Sequence, residues 1–261
     1  LLKPGAASII NLDDAYGDRL FNEIDTKKFG YSTRKDAYYQ ASEIEYYPTH
    51  THFVLKIESR RYKVKTNFVA EFNLSNLLAI IAACHQANMP IETILEQLDH
   101  LPQVEGRMNV IEMNQEFNVI VDYAHTPDGF EKIYQFANTI TDDKHKIITV
   151  FGSAGKRDSK KRAILGQISD RNADLIIITE EDPRNESALN IAHEIASGIK
   201  NTPYIIMLDR YDAIAQGIEM AVNITGDSDS TGSLAGQLLG ALHGYEAIPD
   251  YLLEGLELDY L

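Results

Sequence analysis

One short stretch of the sequence joins a strand directly to a helix and constrains the fold more than any other feature. β-Branched residues from Val119 to Val121 predict a strand that ends at Asp122. Thr126 followed by Pro127 then has the signature of a helix start, a capping hydroxyl before a proline in the first turn. Between the two elements lie Asp122 and His125. Ligands of open α/β sheets bind at this edge, so both are candidate site residues.

The same order of strand, polar loop and helix repeats along the second half of the chain. Strands are expected at 117–122, 146–151, 174–179 and 204–208. Helices are expected to follow them at about 127–140, 159–172, 186–200 and 210–221. Such alternation predicts an α/β domain with a parallel sheet covered by helices on both faces.

Residues 1–105 show a less regular pattern, which predicts a mixed α/β domain. Strands are expected at 7–11, 52–58 and 61–66, and helical spacing covers 74–88 and 91–101. Gly106 and Arg107 mark the expected boundary, because regular alternation begins after them. The pattern changes again after Asn223, where a short tail with a helix of small residues is expected at 233–243. Three segments are therefore predicted, at 1–105, 106–221 and 222–261.

The charge balance limits the partners. The chain has 24 basic and 39 acidic side chains, a formal net charge of −15, so it should repel nucleic acid and anionic membranes. The longest apolar run, residues 77–84, is too short to cross a bilayer. The single cysteine, Cys84, fits a reducing cytoplasm. We therefore expect a cytoplasmic protein with neither partner; the sequence carries no signal of oligomeric state.

A basic loop is the obvious place for an anion in so acidic a chain. Five cations occupy the seven positions from Lys156 to Arg162, after Gly152 and Gly155. A glycine-containing loop before a helix offers backbone N–H donors and a positive helix end. The spacing is not that of a Gly-x4-Gly-Lys-Ser/Thr phosphate loop. We expect Lys156 and Arg157 to bind the anion. A solvated helix face is the alternative for the other three cations, Lys160, Lys161 and Arg162.

A third polar loop, residues 180–186, places an arginine among carboxylates at a strand end. This mixture suits a zwitterion, with Arg184 on a carboxylate and Glu181 or Asp182 on an ammonium. The alternative is an ordinary helix start with Asn185 as its cap. All three loops should meet at one edge of the parallel sheet.

Two weaker signals favour ordinary structural roles. His50 and His52 are expected to face the same side of a strand, but without a third ligand they give little reason to infer a metal site. Asn76 lies near the start of an expected helix, where capping is the simplest explanation.

Together these motifs resemble the Mur ligase family of peptidoglycan synthesis. Within the family the likeness is to the branch that adds the third peptide residue, a diamino acid. It extends over roughly residues 1–220. The matching segments are Ile9 to Asp14, Phe72 to Asn76, Gly106 to Val110, Val121 to Pro127, Phe151 to Asp158 and Asp182 to Glu186.

The resemblance implies an architecture and a reaction. Family members have a UDP-sugar domain, a central ATPase domain and a Rossmann-like C-terminal domain. ATP phosphorylates the carboxylate of UDP-N-acetylmuramoyl-L-Ala-D-Glu, and the amine of the diamino acid attacks the acyl phosphate. ATP and Mg²⁺ are thus the implied cofactors. Because the family's phosphate loop lies upstream, we expect a fragment without turnover: the end of the central domain, the Rossmann-like domain and a short helical tail.

The resemblance also implies roles for individual residues. Asn76 would contact adenine, and Arg107 and Asp122 would hold the nucleotide, Asp122 through the ribose. Arg157 and Arg184 would grip the carboxylate of the incoming diamino acid. The expected substrate-binding residues are His125, Lys156, Arg157, Glu181, Asp182 and Arg184. Family members that add diaminopimelate usually read Asp-Asn-Pro-Arg where this chain has an extra carboxylate at Asp182, which favours L-lysine over meso-diaminopimelate.

Residues 222–261 resemble a different family, the C-terminus of the ADP-ribosylglycohydrolases. That likeness implies a partial Mg²⁺ site at Asp227, Asp229 and Ser230, whose oxygen atoms suit the ion. A polar loop with a helix cap is the preferred alternative. We expect an artificial or recombinant join near residue 222. The alternative functions are a remnant of a Mg²⁺-dependent hydrolase and a non-catalytic domain that binds nucleotide or amino acid.

Overall fold

The computed structural model describes residues 6–224, apart from residues 99, 113, 114, 116 and 143. The chain divides into two compact units, Leu1–Val110 and Ile111–Leu261. The boundary expected from the sequence, between 105 and 106, lies slightly earlier. The tail expected to form a helix at 233–243, with its candidate Mg²⁺ ligands Asp227, Asp229 and Ser230, lies outside the described residues.

The first unit is built around a five-stranded mixed sheet with strand order β1-β2-β3-β4-β5. Strands β1 to β3 run parallel, whereas β3, β4 and β5 pair antiparallel. The elements are β1 (Ser8–Asn11), α1 (Ala15–Glu23), β2 (Lys28–Ser32), β3 (Tyr39–Tyr46), β4 (Thr51–Ile57), β5 (Arg60–Thr66), α2 (Glu71–Gln86) and α3 (Ile91–Leu98). The predicted mixed α/β architecture is confirmed. A further strand, β6 (Asn109–Ile111), runs across the division between the units.

One apolar face of helix α2 forms the core of this unit against the sheet. Leu74, Leu78 and Ile81 are fully buried and belong to the same cluster as Tyr39 and Leu55 of the strands. Their spacing of three and four residues is that of one helix face. Burial of each such side chain contributes about 1.5–3 kcal/mol.

The second unit contains a three-stranded parallel sheet with strand order β10-β9-β8. Its elements are β7 (Val119–Val121), α4 (Pro127–Ile140), β8 (Ile148–Phe151), α5 (Lys160–Asn172), β9 (Leu175–Ile178), α6 (Ala188–Ala196), β10 (Tyr204–Ile206) and α7 (Arg210–Ile224). Strands and helices alternate as the sequence predicts, and the sheet is parallel, so the predicted α/β class is confirmed.

The strand predicted at 117–122 is the exception. It is present only as the three residues of β7, which lie outside the parallel sheet in a separate two-stranded sheet. The side chain of Val121 is exposed, whereas strands within a parallel sheet are buried on both faces. A β-branched run predicts extended backbone, but it does not determine which strand becomes its neighbour.

Strand β9 is central, and helices cover both of its faces. Ile176 and Ile178 are fully buried in a cluster with residues of α6. Ile177 points to the opposite face, because side chains alternate along a strand. There it lies beside Gly217 of α7. The continuous apolar run of β9 is therefore explained by helices on both sides.

Candidate functional site

The first site loop connects β7 to α4. Thr126 caps α4 as predicted: its Oγ1 accepts a hydrogen bond from the Gly129 N–H at 3.2 Å, and Pro127 is the first helical residue. Asp122 folds the loop back, because its Oδ1 accepts from the Ala124 N–H at 2.7 Å. His125 is exposed, and its ring lies 5.2 Å from that of Tyr123. This loop therefore presents an imidazole and a phenol beside a helix N-terminus.

The second loop, residues 152–159, follows β8 and packs tightly against the third. A Cβ at Gly152 would lie 2.4 Å from the Thr179 carbonyl oxygen, and one at Gly155 would lie 1.9 Å from that of Pro183. Both contacts leave no room for a side chain. These glycines therefore allow two loops to touch, a role that the sequence does not distinguish from anion binding.

The third loop, residues 179–187, connects β9 to α6. The Gly155 N–H donates to the Asp182 carbonyl oxygen at 3.0 Å, which joins the second loop to the third. Arg184 pairs with Asp182, with Nε 3.3 Å from Oδ2. Ser187 caps α6 by accepting from the Asn190 N–H, so the alternative that made Asn185 the cap is wrong.

The three loops line one cavity of about 680 Å³ in the second unit. Its lining includes five of the six residues predicted to bind substrate, His125, Arg157, Glu181, Asp182 and Arg184. The sixth, Lys156, is not among the lining residues. Its backbone N–H donates instead to Oε1 of Glu186 at 2.5 Å.

Basic residues of α5 also line the cavity. The sequence did not decide between this role and a solvated helix face for them. Lys160 and Lys161 line it, and Nζ of Lys161 donates to the His125 carbonyl oxygen at 2.7 Å. Arg162 is only 1% exposed. The alternative of a solvated helix face is therefore wrong for Arg162, whereas the hydrogen bond of Lys161 is exposed to solvent. Arginine is rarely buried, so no pattern in the sequence signals the burial of Arg162.

The electrostatics of the cavity suit a ligand with both signs of charge. Four cations, Arg157, Lys160, Lys161 and Arg184, surround it together with three acids, Asp158, Glu181 and Asp182. Tyr123 and Ile164 add apolar surface. Guanidinium groups form paired hydrogen bonds with a carboxylate, and side-chain carboxylates accept hydrogen bonds from an ammonium. The arrangement can therefore hold an amino acid.

The residues predicted to bind nucleotide lie in both units. Asn76 is exposed on α2, and Arg107 is exposed near the end of the first unit. Asp122 belongs to the second unit. Ala70, with a φ of 73°, stands at the N-cap position of α2, so capping does not explain Asn76.

The structure provides little for a metal ion in the part of the chain that it describes. No three His, Cys, Asp or Glu side chains come together there as a possible metal site. The rings of His50 and His52 lie 4.8 Å apart, on the same side of the chain as predicted, and Tyr47 stacks on His50.

Among the same described residues, no helix combines the length and the apolar character needed to cross a membrane.

Two family models match the sequence, and both describe Mur ligases. The Mur ligase middle domain matches residues 1–84, and the Mur ligase glutamate ligase domain matches residues 106–228. The second match continues past residue 222, where a join was expected. That position therefore lies inside a stretch that still matches the ligase domain.

Similar proteins carry related names. The UDP-N-acetylmuramoyl-L-alanyl-D-glutamate–2,6-diaminopimelate ligase 1 of Clostridium acetobutylicum is 36% identical over 223 residues, which cover 85% of this chain and 46% of that protein. The UDP-N-acetylmuramyl-tripeptide synthetase of Borreliella burgdorferi is 36% identical over 82% of this chain and 42% of its own length. The chain thus spans about half the length of these relatives.

Solved structures agree with the sequence relatives. A diaminopimelate ligase of the same name aligns with a TM-score of 0.58 at 28% identity, over 82% of this chain and 45% of that one. The MurF ligase of Thermotoga maritima in complex with ADP aligns with a TM-score of 0.65 at 18% identity, over 97% of this chain and 55% of that one. At this level of identity the likeness shows a shared fold. The chain belongs to the Mur ligase family and carries its middle and C-terminal domains.

Proposed function

We propose that the cavity of the second unit binds the diamino acid that a Mur ligase joins to UDP-N-acetylmuramoyl-L-Ala-D-Glu in an ATP-dependent reaction. One observation carries this proposal. The guanidinium groups of Arg157 and Arg184 come from loops that follow adjacent parallel strands, and both line the same cavity. Convergence of two arginines with carboxylates at the carboxyl edge of a parallel sheet is the arrangement expected for an amino-acid site.

The proposed roles follow from charge. Arg157 and Arg184 bind a carboxylate of the diamino acid, and Glu181 and Asp182 receive an ammonium. His125 lines the same cavity from the first loop and contacts the substrate there. Lys156 contributes its positive charge from just outside the lining. The reaction makes an amide, so the attacking amine must be held in a fixed place near the acyl phosphate.

We propose diaminopimelate as the diamino acid, with lysine as the second candidate. The cavity lining holds four cations and three acids. Diaminopimelate has one more carboxylate than lysine. This additional carboxylate can pair with the cation that has no acidic counterpart in the lining. The relatives from Clostridium are named as diaminopimelate ligases. Asp182, which favours lysine, is already engaged by Arg184 and is less able to select an ammonium.

The proposal includes ATP and Mg²⁺ as cofactors of the complete reaction and the cytoplasm as its location. Exposed amide and guanidinium groups at Asn76 and Arg107 suit adenine and phosphate oxygens. Asp122 is proposed to hold the ribose, although its Oδ1 already accepts one backbone hydrogen bond. Mg²⁺ would neutralise the phosphates during transfer. We assign it no ligand among the described residues. The lone thiol of Cys84 suits a reducing compartment.

Calorimetric titration of this chain with meso-diaminopimelate and with L-lysine tests the proposal. We expect saturable binding of both, tighter for diaminopimelate, and we expect Arg157→Ala to weaken each by about tenfold or more, because a charged hydrogen-bond partner is lost. Arg171→Ala is the matched control, since Arg171 is an exposed arginine paired with Glu131 outside the cavity lining. Absence of binding by the unmodified chain would contradict the proposal.

A further inference from the structure

Arg162 is a buried cation that does not line the cavity. It lies near the start of α5 and is 1% exposed. A buried guanidinium is costly unless it is paired and hydrogen-bonded. Its NH1 group donates to Oε2 of Glu186 and to Oε2 of Glu194, each at 2.9 Å, and its NH2 group donates to the Ala154 carbonyl oxygen at 3.3 Å. Arg162 therefore connects α5 and α6 with the second loop (residues 152–159) and the third loop (residues 179–187).

Glu186 is the second half of this connection. Its Oε2 accepts from Arg162, while its Oε1 accepts from the backbone N–H of Lys156. One carboxylate thus joins the end of the third loop to the middle of the second. The hydrogen bond from Arg162, followed by that from Lys156, lowers the pKa of Glu186, so the carboxylate is ionised at neutral pH.

These bonds lie beside the two arginines of the cavity. Arg157 directly follows Lys156, and Arg184 lies two residues before Glu186. Between the loops, the Gly155 N–H also donates to the Asp182 carbonyl oxygen. The backbone around each arginine is therefore held by contacts of its neighbours, and Arg184 adds its own ion pair with Asp182.

We propose that Arg162 and Glu186 form a positioning pair that fixes the separation of Arg157 and Arg184 for carboxylate binding. The inference rests on the proposed function of the cavity, because it assigns the pair an effect on diamino-acid affinity. A carboxylate bound by two arginines needs both within hydrogen-bond distance. Loss of one charge-assisted hydrogen bond weakens binding by about tenfold or more. The pair acts only through the loops and does not touch the ligand.

Glu194 provides a matched control within the same ion-pair network. It accepts from the same NH1 group at the same distance, but it lies on α6 and is more exposed than Glu186. Of the two acids, only Glu186 has a hydrogen bond to the second loop among the described residues. Loss of either carboxylate removes one partner of Arg162, whereas only loss of Glu186 also removes a hydrogen bond between the second and third loops.

The test compares Glu186→Gln and Glu194→Gln in the complete chain. Calorimetric titration with meso-diaminopimelate should show affinity lowered about tenfold or more by Glu186→Gln and changed less than about twofold by Glu194→Gln. Amide hydrogen exchange at Gly155 and Lys156 should become faster in the first variant alone. Arg162→Lys, which keeps the charge but loses the forked donor geometry, should resemble Glu186→Gln.

The outcomes separate this inference from the proposed function. If the unmodified chain binds and both glutamine variants bind as it does, the positioning role is wrong while the amino-acid site stands. Equal weakening by the two variants, with equal loss of thermal stability, would also overturn it, because the network would then act only on general stability. If the unmodified chain binds neither diamino acid, the proposed function fails, and this inference fails with it.

Discussion

Three residues of the second and third loops have a backbone conformation that residues other than glycine rarely adopt. Lys156 and Arg184 each have a φ of 53°, and Asp182 has a φ of 22°. Such conformations cost about 1–3 kcal/mol each and persist where surrounding contacts hold them. Here the contacts are the hydrogen bonds of Gly155 and Glu186 across the loops. Among the described residues of the second unit, these three are the non-glycine residues with positive φ, whereas five more lie in the first unit.

Arg184→Ala should weaken binding of the diamino acid by about 1–3 kcal/mol, the usual loss when a charged hydrogen-bond partner is removed. Titration calorimetry with meso-diaminopimelate measures the change directly. Arg171→Ala should leave the affinity unchanged. Equal affinity of Arg184→Ala and the unmodified chain would exclude Arg184 from the site.

Asp182→Asn should shift the preference further toward diaminopimelate. The substitution removes the negative charge of a carboxylate that lies 3.3 Å from Nε of Arg184. That charge repels the additional carboxylate of diaminopimelate, which lysine lacks. We expect the ratio of the lysine to the diaminopimelate dissociation constant to rise by several-fold, on the scale of one charge-assisted contact. An unchanged or lower ratio would show that the charge of Asp182 does not disfavour diaminopimelate.

The sequence predicts residues of this site when chemistry and position coincide. Arg157, Arg184 and His125 each follow a predicted strand in a polar loop, and all three line the cavity. Arg162 could not be found in this way. Its burial depends on two acids, Glu186 and Glu194, that come near it only through folding.

At the level of elements, α5 and α6 meet at glycines. A Cβ on Gly166 of α5 would lie 2.1 Å from the Ile195 carbonyl oxygen, and one on Gly198, just after α6, would lie 1.9 Å from that of Ala163. These distances are shorter than any real contact of a side-chain carbon, so the two helices pack backbone to backbone. The same helices carry Arg162 and Glu194.

Gly166→Ala should therefore lower the free energy of unfolding by about 1–3 kcal/mol, because the helices must separate to admit one methyl group. Urea denaturation followed by circular dichroism measures the change. Gln167→Ala, at the next and exposed position of α5, is the control and should have little effect. Unchanged stability of Gly166→Ala would contradict the close packing.

In the first unit, Glu71 at the start of α2 should make stability depend on pH. Arg34 donates to both of its carboxylate oxygens, at 2.6 and 3.0 Å. These hydrogen bonds from Arg34 lower the pKa of Glu71. Its contribution is thus fully present above the unfolded-state value, about 4.3, and is lost as the pH falls through the lower folded-state value.

The measurement is the melting temperature as a function of pH for the unmodified chain and for Glu71→Gln. The unmodified chain should be more stable near pH 7. The difference should shrink as the pH falls below about 4.3 and disappear once the pH is below the folded-state pKa of Glu71. A difference that persists unchanged into acid would show that the ionised carboxylate is not responsible.

Helices were easier to predict from the sequence than sheet membership. The start of α4 at Pro127 follows from local signals, the Thr126 cap and the proline. The strand predicted at 117–122 failed to join the parallel sheet as β7, because strand pairing depends on residues distant in sequence. The cap of α6 was also missed, since Ser187 and Asn185 are both good capping residues and tertiary contacts decide between them.

At the scale of the whole molecule, the charge is distributed unevenly. The chain carries a net −15, yet four cations line one cavity of the second unit. Composition gives only the overall negative charge, whereas the fold shows where four of the cations come together.

A crystal structure of the chain with meso-diaminopimelate bound is the most direct test of the central claim. One carboxylate of the ligand should lie within hydrogen-bond distance, about 3 Å, of both Arg157 and Arg184, with an ammonium against Glu181 or Asp182. A ligand bound elsewhere, or one that contacts neither arginine, would contradict the claim that these loops form an amino-acid site.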